Sequence, residues 1–288
     1  LGLLTSPIGA AEAKTDGEEI PTGNQMEGNW VYEVTQQSGM GGPGGPGGPG
    51  GPGGGPGGPG GGEPTQEELD AFMATMMAGS DPEATLLWGD GQEKTGNVVM
   101  IPATLGGYPV TVIGNGAQTI SSNNKNDDVY VLFPEGVTTF SARMIYDYNS
   151  TSGWSIPDTV TSIAQGTFLS CPGTFYGVSG SGAETYAASD ATRDFVDYTE
   201  DGSLTFTAQS GEEGYMQPNG TYYLPSAMLD GKHTVTFHIV ADYQYKIAAL
   251  TVDGQPVSEA AGQNEYDLEY AFTTGSAGVS VTFVEDPK

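Results

Sequence analysis

Two histidines, one cysteine and a large excess of carboxylates are the residues of this sequence that could do chemistry. His233 and His238 lie five apart on one alternating apolar run. An odd separation on a strand sends side chains to opposite faces, so the two cannot share a metal or pass a proton between them. Each reads as a surface residue. Cys171 has no second cysteine to pair with. It stands at the inward spacing of a repeat described below and reads as a packing group rather than a nucleophile. No Cys/His zinc spacing occurs, and no glycine-rich phosphate loop opens a helix. Gly180-Ser181-Gly182 has the small-residue frame of a nucleophile elbow, but 177–182 reads as a glycine-rich turn with no strand-to-helix elbow. Asp197-x-Thr199-x-Asp201-Gly202 has the oxygen spacing of a calcium loop, yet Ala208 stands where the closing acid belongs. Met73, Met76 and Met77, with Met40, are soft donors whose helical spacing already explains them as core. Among 36 acids a carboxylate pair at glycosidase distance arises by number alone. The expectation is a protein that is not an enzyme, with no catalytic residue, no metal and no cofactor.

The elements that must position such residues are set by a repeat. Val131-Leu132-Phe133-Pro134-Glu135-Gly136-Val137-Thr138-Thr139-Phe140 is answered by Trp154-Ser155-Ile156-Pro157-Asp158-Thr159-Val160-Thr161-Ser162-Ile163. Each apolar position returns 23 residues later: Val131/Trp154, Phe133/Ile156, Val137/Val160, Phe140/Ile163 and Ile145/Phe168. A unit that short cannot bury its own apolar side, so successive units must stack. Pro134 and Pro157 cannot donate to a ladder and mark strand ends. An earlier copy runs from Ile101-Pro102 to Val110-Thr111-Val112-Ile113. Five extra residues before its valine and four in the Ser121–Asp128 loop explain the 32-residue gap between Pro102 and Pro134.

Ile156-Pro157-Asp158-Thr159-Val160-Thr161-Ser162-Ile163, with Phe168 and Cys171, resembles the BspA-type leucine-rich repeats of bacterial surface proteins. Gly107-Tyr108-Pro109-Val110-Thr111-Val112-Ile113-Gly114 is similar to the opening of such an array. The run Tyr176-Gly177-Val178-Ser179-Gly180-Ser181-Gly182-Ala183-Glu184-Thr185-Tyr186-Ala187 is similar to its end. The resemblance covers roughly residues 98–188. Gln118 and Ile145 stand where the pattern has the aromatic of Phe168, and Tyr148 stands where it has Cys171. It implies a short solenoid at a cell surface.

Composition agrees with a β-rich class: 46 glycines and 19 prolines leave little room for helix. The net charge of −28 argues against nucleic acid and anionic membrane surfaces as partners, since both would be repelled. No apolar run is long enough to cross a membrane. The start, through Ala11-Glu12-Ala13, reads as the end of a secretory signal, with processing expected after Ala13. Residues 1–28 are then signal remnant and flexible lead. Trp30-Val31-Tyr32-Glu33-Val34 alternates as a strand. The Gly/Pro-rich stretch 41–62 reads as a disordered or polyproline-like loop. A helix is expected from Pro64, with Thr65 and Glu68 as a capping box and Gly79 as the stop. Leu86-Leu87-Trp88 and Val98–Ile101 read as strands around an Asp90-Gly91 turn.

The expected division is therefore a leucine-rich-repeat-like domain with its cap at 29–188, a polar linker at 189–200 and a β-rich domain at 201–288. In the last, Leu204/Phe206/Ala208, Val235/Phe237/Ile239, Tyr266/Leu268/Tyr270/Phe272 and Val279/Val281/Phe283 alternate, with Asp-Gly and Asn-Gly turns between. The run 245–254 and the closing Val279–Phe283 resemble divergent internalin-type B-repeats, which implies a spacer role. The fold expected is mainly β: a short solenoid capped by one helix, plus a small β-domain. The function expected is a secreted or cell-surface, adhesin-like protein that binds an extracellular protein or glycan. The binding face would be the residues alternating with the buried repeat positions: Tyr130, Leu132, Ser155 and Tyr176. The alternative is a glycan- or calcium-binding module of a carbohydrate-active system, and behind it a secreted hydrolase.

Overall fold

The computed structural model describes residues 21–27, 30–36, 82–90, 97–114, 120–121, 129–142, 145–146, 151–169, 171 and 173–286. The expected signal remnant, the Gly/Pro-rich stretch and the helix expected from Pro64 lie outside them. The protein is mainly β and contains a β-solenoid of about three turns.

The repeat sets the register. One parallel sheet is built from Val98–Met100, Val129–Leu132, Thr151–Ser155, Thr174–Gly177 and Asp194–Asp197, in that spatial order. Val131 pairs with Trp154 and Leu132 with Ser155. The amide of Phe133 donates to the Ser155 carbonyl at 3.0 Å, and both Phe133 and Ile156 are fully buried. They occupy adjacent rungs, as the 23-residue spacing requires. The other two sides of the coil repeat in the same way. Val112, Thr139 and Ser162 stack in one column, and Ile120, Ile145 and Phe168 in another. The earlier copy absorbs its five extra residues as a tight hairpin in which Leu105 pairs with Tyr108. Gly106 and Gly107 turn there with φ of +60° and +80°, the left-handed conformation such a two-residue turn requires.

Strand Glu83–Asp90 closes the N-terminal end of the coil. Its first half pairs with Tyr108–Ile113 and its second half with Ile120–Ser121, both parallel. It therefore spans two sides of the first turn. Trp30–Thr35 pairs with it antiparallel, and Gln25–Glu27 pairs with Trp30–Thr35. One expectation changes here: the end of the expected flexible lead is a strand. Glu83–Asp90 and Val98–Met100 belong to different sheets, and Gly91 of the turn expected between them lies outside the described residues.

Inside the coil Val99, Val131, Trp154 and Phe175 form one column of the core. Phe168 meets Trp154 at 4.9 Å and Phe175 at 5.1 Å between ring centroids. Cys171 packs in the same cluster. The C-terminal end is covered by helix Gly182–Ala188, whose Tyr186 hydroxyl accepts the Phe168 amide at 3.1 Å. The segment expected as a polar linker contributes a further rung. Asp194–Asp197 continues the parallel sheet, with Phe195 beside Phe175 and Val196 beside Tyr176.

The C-terminal domain is two sheets face to face. One runs Gly220–Leu224, Leu204–Ser210, Gly278–Glu285, Tyr245–Val252, Gln255–Pro256; the other runs Gly214–Gln217, Asp230–Ala241, Glu265–Thr273. The alternating residues point between them. Phe206 from the first sheet packs on Phe237, Tyr270 and Phe272 of the second, with centroids 5.3–6.1 Å apart. Asp253-Gly254 forms the tight turn between two of the strands, with both residues at positive φ.

Candidate functional site

The face expected to bind a partner is covered. Tyr130 is 5% exposed, Tyr176 6%, and Leu132 and Ser155 are fully buried. What covers them is the C-terminal domain. Val98, Met100, Tyr130, Leu132 and Tyr176 share one apolar cluster with Phe206, Tyr222, Met228, Phe237 and Phe272. The parallel sheet of the coil is thus buried on both sides, one toward the coil core and the other toward the second domain.

Polar contacts across this junction are specific. Ser155 Oγ donates to the Tyr223 carbonyl at 2.6 Å and lies 2.9 Å from the Tyr198 hydroxyl, which donates to the Ile156 carbonyl. The fully buried Tyr222 donates to the Ile101 carbonyl at 2.7 Å. Burial pushes the phenols of Tyr198 and Tyr222 well above their ordinary value. Asn219 Oδ1 accepts from the amides of Ala103 and Thr104, each at 3.0 Å, and its Nδ2 donates to Thr104 Oγ1. Glu27, on the first strand, accepts from the Gly106 amide and from Gln217 of the second domain. Burial raises its carboxyl, and those two hydrogen bonds oppose the shift.

The histidines do fall on opposite faces, but they are not alike. His233 is 2% exposed, its Nδ1 3.0 Å from Asp230 Oδ1 and its ring edge-on to Tyr130 at 5.0 Å. The expectation of a surface residue fails there because the coil packs on that end of the strand. His238 is half-exposed, 2.6 Å from Asp267 Oδ1.

Ser181 departs from expectation too. Strand Thr174–Gly177 is followed by a helix at Gly182, so a strand-to-helix connection exists. Ser181 is the residue before the helix, with extended backbone (φ −77°, ψ 172°) and a buried Oγ that has no hydrogen-bond partner. An elbow nucleophile is presented outward beside its base; neither condition holds at this serine. The calcium-loop spacing resolves into helix capping. Asp197 Oδ1 accepts from the Thr199 amide and hydroxyl, and Oδ2 accepts from the Ser179 amide. These bonds hold its carboxyl well below the ordinary range. Asp201 accepts from Ser203 and from the Ser226 amide and hydroxyl. Both acids line an open groove of about 460 Å³ with Ser179, Glu184, Phe195, Val196 and Glu200. Among the described residues no three His, Cys, Asp or Glu side chains are placed to hold a metal ion. No helix among them is long and apolar enough to cross a membrane.

A second side of the coil stays uncovered. At the Val-Thr-x-apolar step the side chains of Thr138, Thr161 and Ser162 are exposed, with Thr111 and Thr139 half-buried beside them. The amide of Thr138 donates to the Thr111 carbonyl at 2.8 Å, and that of Thr161 to the Thr138 carbonyl at 2.9 Å. The result is a hydroxyl-bearing surface in register with the rungs, bordered at Thr111 by the Glu83 carboxylate, which accepts from the Thr111 hydroxyl at 2.8 Å. Sequence reasoning missed it, although a threonine after each valine was the available signal. The chain matches no known protein family, no curated protein and no solved structure.

Proposed function

We propose that this chain is a secreted or cell-surface interaction protein of the BspA-type leucine-rich-repeat kind, and not an enzyme. It binds an extracellular protein or glycan through the hydroxyl-bearing side of its coil. The observation that carries this reading is the stack of Thr111, Thr138 and Thr161 beside Thr139 and Ser162, exposed in the last two turns. Rungs about 4.8 Å apart repeat their threonine oxygens at a fixed interval. The hydroxyls of Thr138 and Thr161 donate to the carbonyl one rung back, so the oxygens face outward as acceptors, which suits a flat, periodic, hydroxyl-rich ligand such as an extended glycan. The signal-like start supports export. The C-terminal domain, similar to B-repeats, buttresses the coil in this reading. A calcium-assisted module or a secreted hydrolase has less support, since the carboxylates of Asp197 and Asp201 are already engaged by hydrogen bonds within the chain.

The test is an array of extracellular-matrix proteins and glycans probed with the intact chain and with a Thr138→Lys/Thr161→Lys variant. The expected outcome is capture that the variant loses at least tenfold, with an unchanged melting temperature, because both side chains are exposed. Equal capture by the variant would remove this surface from the proposal.

A further inference from the structure

We propose that the outer edge of strand Glu265–Thr273 captures an extended, lysine- or arginine-rich segment of another protein by β-strand addition. The site is on the C-terminal domain and is independent of the coil surface proposed above. This strand is last in its three-stranded sheet, paired on one side with Asp230–Ala241. The ladder fixes which residues face outward. Ala241 donates to the Asn264 carbonyl at 2.8 Å, so the pairs Ile239/Tyr266, Phe237/Leu268 and Val235/Tyr270 exchange both backbone bonds. Glu265, Asp267, Glu269 and Ala271 then turn their amides and carbonyls away from the sheet. Among the described residues no backbone group meets them. Thr273 is the exception: its amide donates to Ser276 Oγ and its carbonyl accepts from the Ser276 amide, so the chain's own turn closes that end. The open stretch is seven residues long, about 23 Å.

The side chains select the occupant. Glu265, Asp267 and Glu269 are exposed in a row on the outer face. His238 faces this row, 2.6 Å from Asp267 and 3.6 Å from Glu265; Glu269 lies opposite Thr236. On the other face Tyr266 and Leu268 are half-buried, and Tyr266 lies beside Glu259. An added strand would set basic residues against the carboxylates and alternate apolar residues against Tyr266 and Leu268. A second copy of the chain is disfavoured, because antiparallel pairing would bring like carboxylates together. This chain does not supply the segment either: its eight lysines and arginines are scattered along 288 residues and never alternate.

The experiment uses a blocked, dye-labelled nine-residue peptide of alternating lysine and valine, titrated by fluorescence anisotropy into the full chain. Saturable binding at one site is expected. Methylating alternate amide nitrogens of the peptide keeps its charge and removes its strand-forming donors, and should weaken binding at least tenfold. Glu265→Lys/Asp267→Lys/Glu269→Lys should weaken it as much, and Ala271→Pro, which removes one outward amide, should weaken it severalfold. Equal binding of the methylated peptide would show attraction by charge without strand addition and overturn the proposal. Absence of saturable binding by the parent peptide would overturn it as well.

Discussion

Single carboxylates in this acidic chain have unequal work. Asp197 begins the short helix Tyr198–Asp201 and ties it to the turn at Ser179, accepting hydrogen bonds with both oxygens. Its carboxyl is held below the ordinary value of 3.8 first by the Ser179 bonds and then by those from Thr199. A depressed folded value means that the charged form stabilises the fold. The contribution is complete above the ordinary carboxylate value and is lost as the pH falls through the folded one. Asp197→Asn should therefore melt below the parent at pH 7, and the gap should narrow once the pH drops under about 4. Paired thermal melts between pH 7 and pH 3 check this. A gap that stays constant with pH would mean that charge at this position is irrelevant to the cap.

At the scale of the element, strand Thr151–Ser155 shows what a residue without a side chain contributes. Gly153 lies opposite Tyr130 on one neighbouring strand and Thr174 on the other. A Cβ there would fall 2.6 Å from a Tyr130 ring carbon and 2.8 Å from one of Tyr176. Both rings are buried beneath the second domain, so neither can swing aside. Replacing a strand glycine by alanine normally gains about 0.4–1 kcal/mol through the unfolded state. Here the sign should reverse, with Gly153→Ala costing roughly 1–3 kcal/mol from overpacking. Urea denaturation measures it, and a neutral or stabilising result would contradict the rigid seating of the two rings. The same strands explain what was legible beforehand. Val131/Trp154 and Phe140/Ile163 could be placed in register from spacing alone, because rung-to-rung burial forces the period. The covering of Tyr130, Leu132 and Tyr176 was also written in the run Val129-Tyr130-Val131-Leu132, which is apolar at every position and not at alternate ones. That pattern marks a strand buried on both faces. What covers the second face depends on residues far along the chain, from Tyr198 to Val281, and no local pattern names them. That Glu83–Asp90 and Val98–Met100 join different sheets was illegible for a related reason: two neighbouring apolar runs look alike whether or not they share a sheet.

For the molecule as a whole, the junction between coil and C-terminal domain governs behaviour. The outer side of the parallel sheet supplies Val98, Met100, Tyr130, Leu132 and Tyr176 to the second domain's apolar cluster. Removing that domain would uncover a contiguous apolar face of a kind that monomeric proteins rarely leave open. The polar contacts at Asn219, Tyr222 and Ser155 join one domain to the other through buried or half-buried groups. Losing such a bond leaves an unsatisfied carbonyl or amide, at about 1–3 kcal/mol each. Opening the junction without unfolding either part is therefore costly, and the two domains should melt together. Calorimetry should give one transition whose van't Hoff and calorimetric enthalpies agree. Tyr222→Phe, which keeps the ring and deletes the hydroxyl, should move that single transition down without splitting it. Two resolved transitions in the parent chain would mean that each domain is stable alone and that the sheet joining them is an ordinary contact surface.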